Sequence, residues 1–282
     1  MYTLSAENAK GERLALTGNP AYSVTAVDGL YPPTSTINRS TVATMDGARF
    51  NSSRVNERNI VIELYIESPA EDNRINLYKY FKTKQYVKLY YSNGTRDVYI
   101  DGYVESMQIE YFEIKQKAQI SVICPFPYFR STAESVVDFL SVTSLFEFPF
   151  SIPAEGVEFS TLSLGAEKTI INNGDVASGI QIILTSTGLV LNPQIYNSGT
   201  HEFFKLDFEM DAGDEIIINT EPGNKSVKLL RDGVYTNIIN KMQIGSKWLQ
   251  LEPGDNLFIY EADEYAANLS CKFIHTDLFE GV

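Results

Sequence analysis

The chain is poor in the residues from which most catalytic and metal centres are built. Its 282 residues include two cysteines, Cys124 and Cys271, two histidines, His201 and His275, and one tryptophan, Trp248. Two cysteines so far apart do not make a disulfide framework, and they suit a protein made in a reducing compartment. A closed zinc site needs four ligands, and Cys271 with His275, although on one face of a strand, supply only two. No Gly-x-Ser-x-Gly elbow, P-loop or His-Glu-x-x-His is present. Enzymatic activity is therefore not expected. Paired carboxylates for glycoside cleavage are the one arrangement that sequence alone leaves open. No apolar run reaches the ~20 residues of a membrane-spanning helix. The first residues have neither a charged n-region nor an apolar h-region, so no signal peptide is expected.

Basic charge is scarce in the second half. Up to Arg130 there are 15 Lys/Arg and 14 Asp/Glu, a balance of +1; from Ser131 onward there are 8 and 22, a balance of −14. An acidic half repels nucleic acid and a balanced half offers it no basic stripe, so nucleic-acid binding is disfavoured. The asymmetry also argues for two units in different surroundings.

Aromatic residues are plentiful, with 17 Tyr and 16 Phe, and favour β structure. The stretch Ile120-Ser-Val-Ile-Cys-Pro-Phe-Pro-Tyr-Phe129 organises the rest. Residues 119–123 read as a strand, and Pro125 and Pro127 then stop the ladder because neither has an N–H to donate. This is a stiff border between a first domain, 1–130, a junction, 131–145, and a second domain, 146–282.

In the first domain, residues 22–27 alternate as a strand. Residues 34–58 then carry Arg39, Arg49, Arg54 and Arg58 with little core periodicity. Long ordered connections are usually functional, and this one predicts an extended hairpin or arm whose arginines meet a neighbouring subunit. Residues 59–66 alternate with Ile60, Ile62, Leu64 and Ile66 on one face. Ser68-Pro-Ala-Glu71 predicts a capping box, and Ile75, Tyr78 and Phe81 the buried stripe of the one helix. Residues 86–91 and 96–107 form a hairpin about Asn93-Gly94, with Gly102 as a candidate bulge. Residues 108–112 and 117–123 form another.

The series Arg58-Asn-Ile-Val-Ile-Glu-Leu-Tyr-Ile66, Leu77-Tyr-Lys-Tyr-Phe81, Tyr99-Ile-Asp-Gly-Tyr-Val-Glu105 and Ser121-Val-Ile-Cys-Pro-Phe-Pro-Tyr-Phe129 resembles the distal tail protein family of long-tailed, non-contractile bacteriophages. The likeness spans the first half and extends more weakly into the second. It implies a mainly β protein. A β-rich barrel or sandwich with one helix and an arm is followed by an antiparallel sandwich like those of galectins and carbohydrate-binding modules. It also implies a structural tail-tip hub, made in the host cytoplasm, without cofactor or metal. In such a hub the first domain forms a homo-oligomeric ring, a hexamer. The ring joins the major tail tube protein to the tail-associated fibre or lysin protein, or to receptor-binding proteins, and leaves a channel for DNA.

From residue 168 on, strands and turns alternate at the spacing of a sandwich. The strands read as 168–172, 179–185, 189–196, 202–209, 214–220, 225–231, 246–251, 256–261 and 268–275. Residues 146–150 suggest an edge strand containing Pro149. The run Asp207-Phe-Glu-Met-Asp-Ala-Gly-Asp-Glu215 departs from a calcium loop, with its glycine one place late and Ile218 at position twelve. A solvated strand-turn-strand is the better reading. His201 suits a surface role. Trp248 is a candidate sugar-stacking platform, although a lone Trp in a sandwich strand more often packs in the core. The rival to the hub is thus an adhesin that recognises host cell-wall saccharides through its second domain.

Overall fold

A computed structural model of the chain describes residues 2–44, 46–139, 142–144, 160–162 and 167–282. The edge strand expected at 146–150 lies outside these residues. The chain divides into two compact units. One comprises Met1–Ala133 together with Leu278–Val282, and the other comprises Glu134–Asp277. The last five residues, read from sequence as part of the second domain, therefore belong to the first unit.

The first unit holds β1 (Thr3–Asn8), β2 (Arg13–Ala15), β3 (Tyr22–Asp28), β4 (Ser35–Ser40), β5 (Arg49–Val55), β6 (Arg58–Ile66), α1 (Ala70–Tyr80), β7 (Tyr86–Ser92), β8 (Asp97–Ile109), β9 (Gln116–Cys124) and β10 (Phe129–Ser131). An antiparallel sheet runs β2-β1-β7-β8-β9-β6-β3, and β10 pairs with β8 and with the C-terminal strand Leu278–Phe279. The sheet stays open and does not close into a barrel. Strict alternation explains its core: Ile60, Ile62, Leu64 and Ile66 on β6 pack with Ala118, Ile120 and Val122 on β9.

Three local expectations change. The helix starts at Ala70 behind Pro69, whose extended backbone makes it the cap residue, and no side chain closes the first turn. Ser68 thus stands one residue too early for a capping box. The buried face is also rotated. Leu77 and Phe81 are buried, whereas Ile75 is 49% exposed and Tyr78 37%. Phase follows the Ala70, Asn73, Leu77, Phe81 series at i, i+3, i+7 and i+11. Tyr78 instead sets its hydroxyl 3.2 Å from that of Tyr111. Third, Gly102 is not a bulge, because the register slips between Val104 and Ser106. Glycine is needed at 102 because a Cβ there would lie 2.6 Å from Val122 Cγ1 and 3.0 Å from the Ile123 carbonyl oxygen.

The second unit holds β11 (Ser135–Asp138), β12 (Val142–Ser144), β13 (Ser160–Leu162), β14 (Lys168–Asn172), β15 (Ser178–Ser186), β16 (Val190–Asn197), β17 (Glu202–Lys205), β18 (Glu209–Met210), β19 (Glu215–Asn219), β20 (Ser226–Arg231), β21 (Val234–Asn237), β22 (Gln250–Leu251), β23 (Gly254–Glu264) and β24 (Leu269–His275). One sheet runs β11-β24-β15-β19-β20-β21 with β22 beside β15. The other runs β14-β23-β16-β17 with β18 beside β16. Their inner faces share one core, in which Phe273 stacks on Phe139 and Phe258 at centroid distances of 4.9 and 5.1 Å. This is an antiparallel β-sandwich. The strand expected over 202–209 is broken into β17 and β18, and β21 was not foreseen.

Candidate assembly interface

Arg58 opens β6 in phase with its buried isoleucines, so its side chain points inward and is only 3% exposed. The Glu280 charge favours its cationic form. Its guanidinium donates to four backbone carbonyls: Gly29 at 2.5 Å, Tyr31 at 2.6 Å, Pro127 at 2.7 Å, and Glu280. It also lies over the Phe129 ring, 4.6 Å from the centroid. Gly29 adopts φ +85°, and a Cβ there would meet the Asn59 carbonyl oxygen at 2.1 Å. Cys124 lies buried alongside, and burial pushes its thiol up to about 12 against the opposing pull of Arg58.

This cradle accounts for the proline–aromatic stretch. Pro127 leaves its carbonyl free for Arg58, Phe129 underlies the guanidinium, and Phe126 packs edge-on against Tyr128 at 5.4 Å. Arg130 covers Phe126 and pairs with Asp101 at 2.9 Å. The C-terminus is held in the same place. Arg96 donates to the Gly281 carbonyl and lies 4.4 Å from the Phe279 ring centroid, and Val282 N–H donates to Leu30 O at 3.1 Å.

The other three arginines behave differently. Strands β4 and β5 pair only with each other, as a two-stranded hairpin exposed along its whole length. Arg39 stands opposite Phe50, Arg49 opposite Ser40, and Arg54 opposite Thr36. Ile37 is 58% exposed and Phe50 62%. None of Arg39, Arg49 or Arg54 has an ion pair among the described residues. At the root of the arm lies a groove of about 250 Å³, lined in part by Asp28, Tyr31, Glu57 and Val61. One surface thus offers cations beside apolar side chains, and another offers carboxylates beside apolar side chains. Arg58, buried in the fold, differs from the three exposed arginines of the arm, and it lines the groove at the arm's root.

Residues 20–124 match the family described as "Phage tail protein RIFT-related domain", and residues 173–275 match "Siphovirus-type tail component, C-terminal domain". The chain belongs to the distal tail protein family. The fold of the distal tail (Dit) protein of phage SPP1, described as a paradigm of hub adsorption apparatus in phages infecting Gram-positive bacteria, matches at TM-score 0.69 and 16% identity, covering 99% of both chains. Chains of the phage P2 baseplate in its activated conformation, solved with Ca and with Sr, match at TM-score 0.55 and 12% identity over 100% of both chains. No curated protein matches.

In this distal tail protein the remaining candidates of the second unit are accounted for by packing. Trp248 is half-buried, 5.5 Å from Phe204 between centroids, with Lys225 Nζ 5.6 Å from its ring. It packs against the core of the sandwich. The acidic run is answered by Arg231. Asp214, 2% exposed, accepts from the Arg231 guanidinium, which holds its carboxyl below the usual range, and Asp211 lies 3.0 Å from Arg231. Among the described residues no group of three His, Cys, Asp or Glu side chains is placed to hold a metal. His201 is paired at the surface with the Tyr196 hydroxyl at 2.8 Å. His275 is buried with neither ring nitrogen hydrogen-bonded, and burial pushes its pKa down. Cys124 and Cys271 are free, each buried in a different unit.

Proposed function

We propose that this distal tail protein closes into a homo-oligomeric ring, a hexamer, at the tip of the phage tail. The ring joins the tail tube to the tail-associated fibre or lysin protein, or to receptor-binding proteins, and leaves a channel for DNA. The role is structural and needs no catalytic step. The observation that carries the reading is the arm. A lone two-stranded hairpin is at best marginally stable in water, and this one leaves Ile37, Phe50 and three unpaired arginines uncovered. A ring requires a heterologous contact, one surface on a different surface of the next copy. The arm and the Asp28/Glu57 groove at its root form such a pair. The near-neutral balance of residues up to Arg130 lets copies approach, and lets DNA pass without being gripped.

The test uses the full chain. Light scattering and negative-stain images should show rings. Arg49→Ala with Arg54→Ala should shift the population toward monomer and leave the melting temperature within ~2 °C, because exposed charges contribute little to the fold. Rings unaffected by the double variant would refute the arm as the contact. A strictly monomeric wild-type chain, even with its tail neighbours added, would refute the ring.

A further inference from the structure

The outer face of the larger second-unit sheet is not a plain solvated surface. Side chains of β15, β19, β20 and β21 that point away from the core align in cross-strand rows. Gln181 stands opposite Asn219 and Asn219 opposite Ser226; Ile217 stands opposite Lys228 and Lys228 opposite Asn237. With Tyr235, 61% exposed, they line a groove of about 520 Å³, within the usual range of small-molecule sites. Trp248 does not line it.

The groove's chemistry is selective. Asn219 Oδ1 accepts the Glu221 N–H at 2.9 Å, and Asn237 Oδ1 accepts the Ile239 N–H at 3.0 Å. These turns engage the Oδ1 of each amide and leave its NH2 group as a donor on a residue that lines the groove. Gln181, Ser226 and Lys228 add further donors, and no carboxylate lines the groove. Ile217 and Tyr235 supply apolar and aromatic surface. A partner with many oxygen acceptors along its edge and C–H faces for stacking matches this lining, and a pyranose chain has both. The residues from Ser131 onward carry −14, which opposes a polyanion. We propose that this groove binds a neutral saccharide chain. The proposal stands apart from ring formation, since it needs only one copy of the sandwich.

The full-length protein is screened against neutral hexose and N-acetylhexosamine oligosaccharides, with a glycerol-phosphate polymer as the anionic arm. The best oligosaccharide is then titrated calorimetrically. Asn219→Asp with Asn237→Asp keeps both Oδ1 acceptors, hence the turns, and replaces each NH2 donor by an acceptor. Loss of two hydrogen bonds should weaken binding at least about tenfold with an unchanged melting temperature. Tyr235→Ala should weaken it by a similar factor. The proposal is overturned if no neutral oligosaccharide binds at concentrations up to ~1 mM, about −4 kcal/mol. It is equally overturned if the paired Asn variant binds as tightly as wild type, or if only the glycerol-phosphate polymer is retained.

Discussion

Replacing Arg58 by Ala removes a buried cation and leaves four carbonyl oxygens, on Gly29, Tyr31, Pro127 and Glu280, without their donor. A hydrogen bond to a charged group contributes about 1.5–3 kcal/mol, and a buried acceptor left unmatched costs about 1–3. Three of the four bonds are only partly buried, so water re-enters and recovers part of the loss. Stacking on Phe129 adds about 1 kcal/mol. A net loss of about 3–5 kcal/mol follows, comparable with breaking a buried ion pair. At about 2–4 °C per kcal/mol, the first unit should melt about 6–20 °C lower. Arg58→Lys should recover less than half, because one ammonium cannot fan out to four acceptors in different directions. Differential scanning calorimetry on the whole chain reads this directly, since the second unit has its own core and should melt at its own temperature. Deleting residues 278–282 should lower the same transition. A first-unit shift under ~3 °C for Arg58→Ala, about 1 kcal/mol, would refute the cradle.

Gly102→Ala should cost the first unit about 2–3 kcal/mol by chemical denaturation, because the new methyl meets Val122 Cγ1 at 2.6 Å and a backbone oxygen that cannot swing aside. An unchanged midpoint would show that β9 yields. His275 is held neutral by burial, with Asp277 acting weakly in the other direction. The folded pKa lies below the unfolded value of about 6.5, so the unfolded chain binds the extra proton. The second unit should therefore be fully supported by this group above about pH 6.5, and should lose that support as pH falls from there to the folded pKa. His275→Phe should flatten the slope of melting temperature against pH in that window, and an unaltered slope would assign the effect elsewhere.

The β-rich make-up, the arm and most sandwich strands were legible because period-two alternation and explicit turns state them locally. The ladder of β15, buried at every second residue from Ser178 to Ser186, is the clearest case. Helix phase was not legible. Ile75, Tyr78 and Phe81 keep helical spacing as well as Ala70, Leu77 and Phe81 do, and only the sheet beneath decides between them. The role of Arg58 was legible in principle. It shares parity with Ile60, Ile62, Leu64 and Ile66, so it had to face inward, but its charge and its place after three other arginines masked that. Strand β21 gave no signal, because all four of its residues are exposed at a sheet edge. The groove and the C-terminal clamp had none either. Gln181, Ser226 and Asn237 meet only through strand register, and Glu280 reaches Arg58 across 222 positions.

That clamp has a mechanical consequence. The second unit is a loop spliced between β10 and the C-terminal strand, which are hydrogen-bonded neighbours with Phe129 opposite Phe279 and Arg130 opposite Leu278. Tension on the second unit enters the first through these two paired segments, at Ser131 and Leu278. Resistance then falls to the pairing of β10 with β8 and to the grip of Arg58 and Arg96 on the last carbonyls. A single nick anywhere in the loop leaves both halves of the second unit still moored.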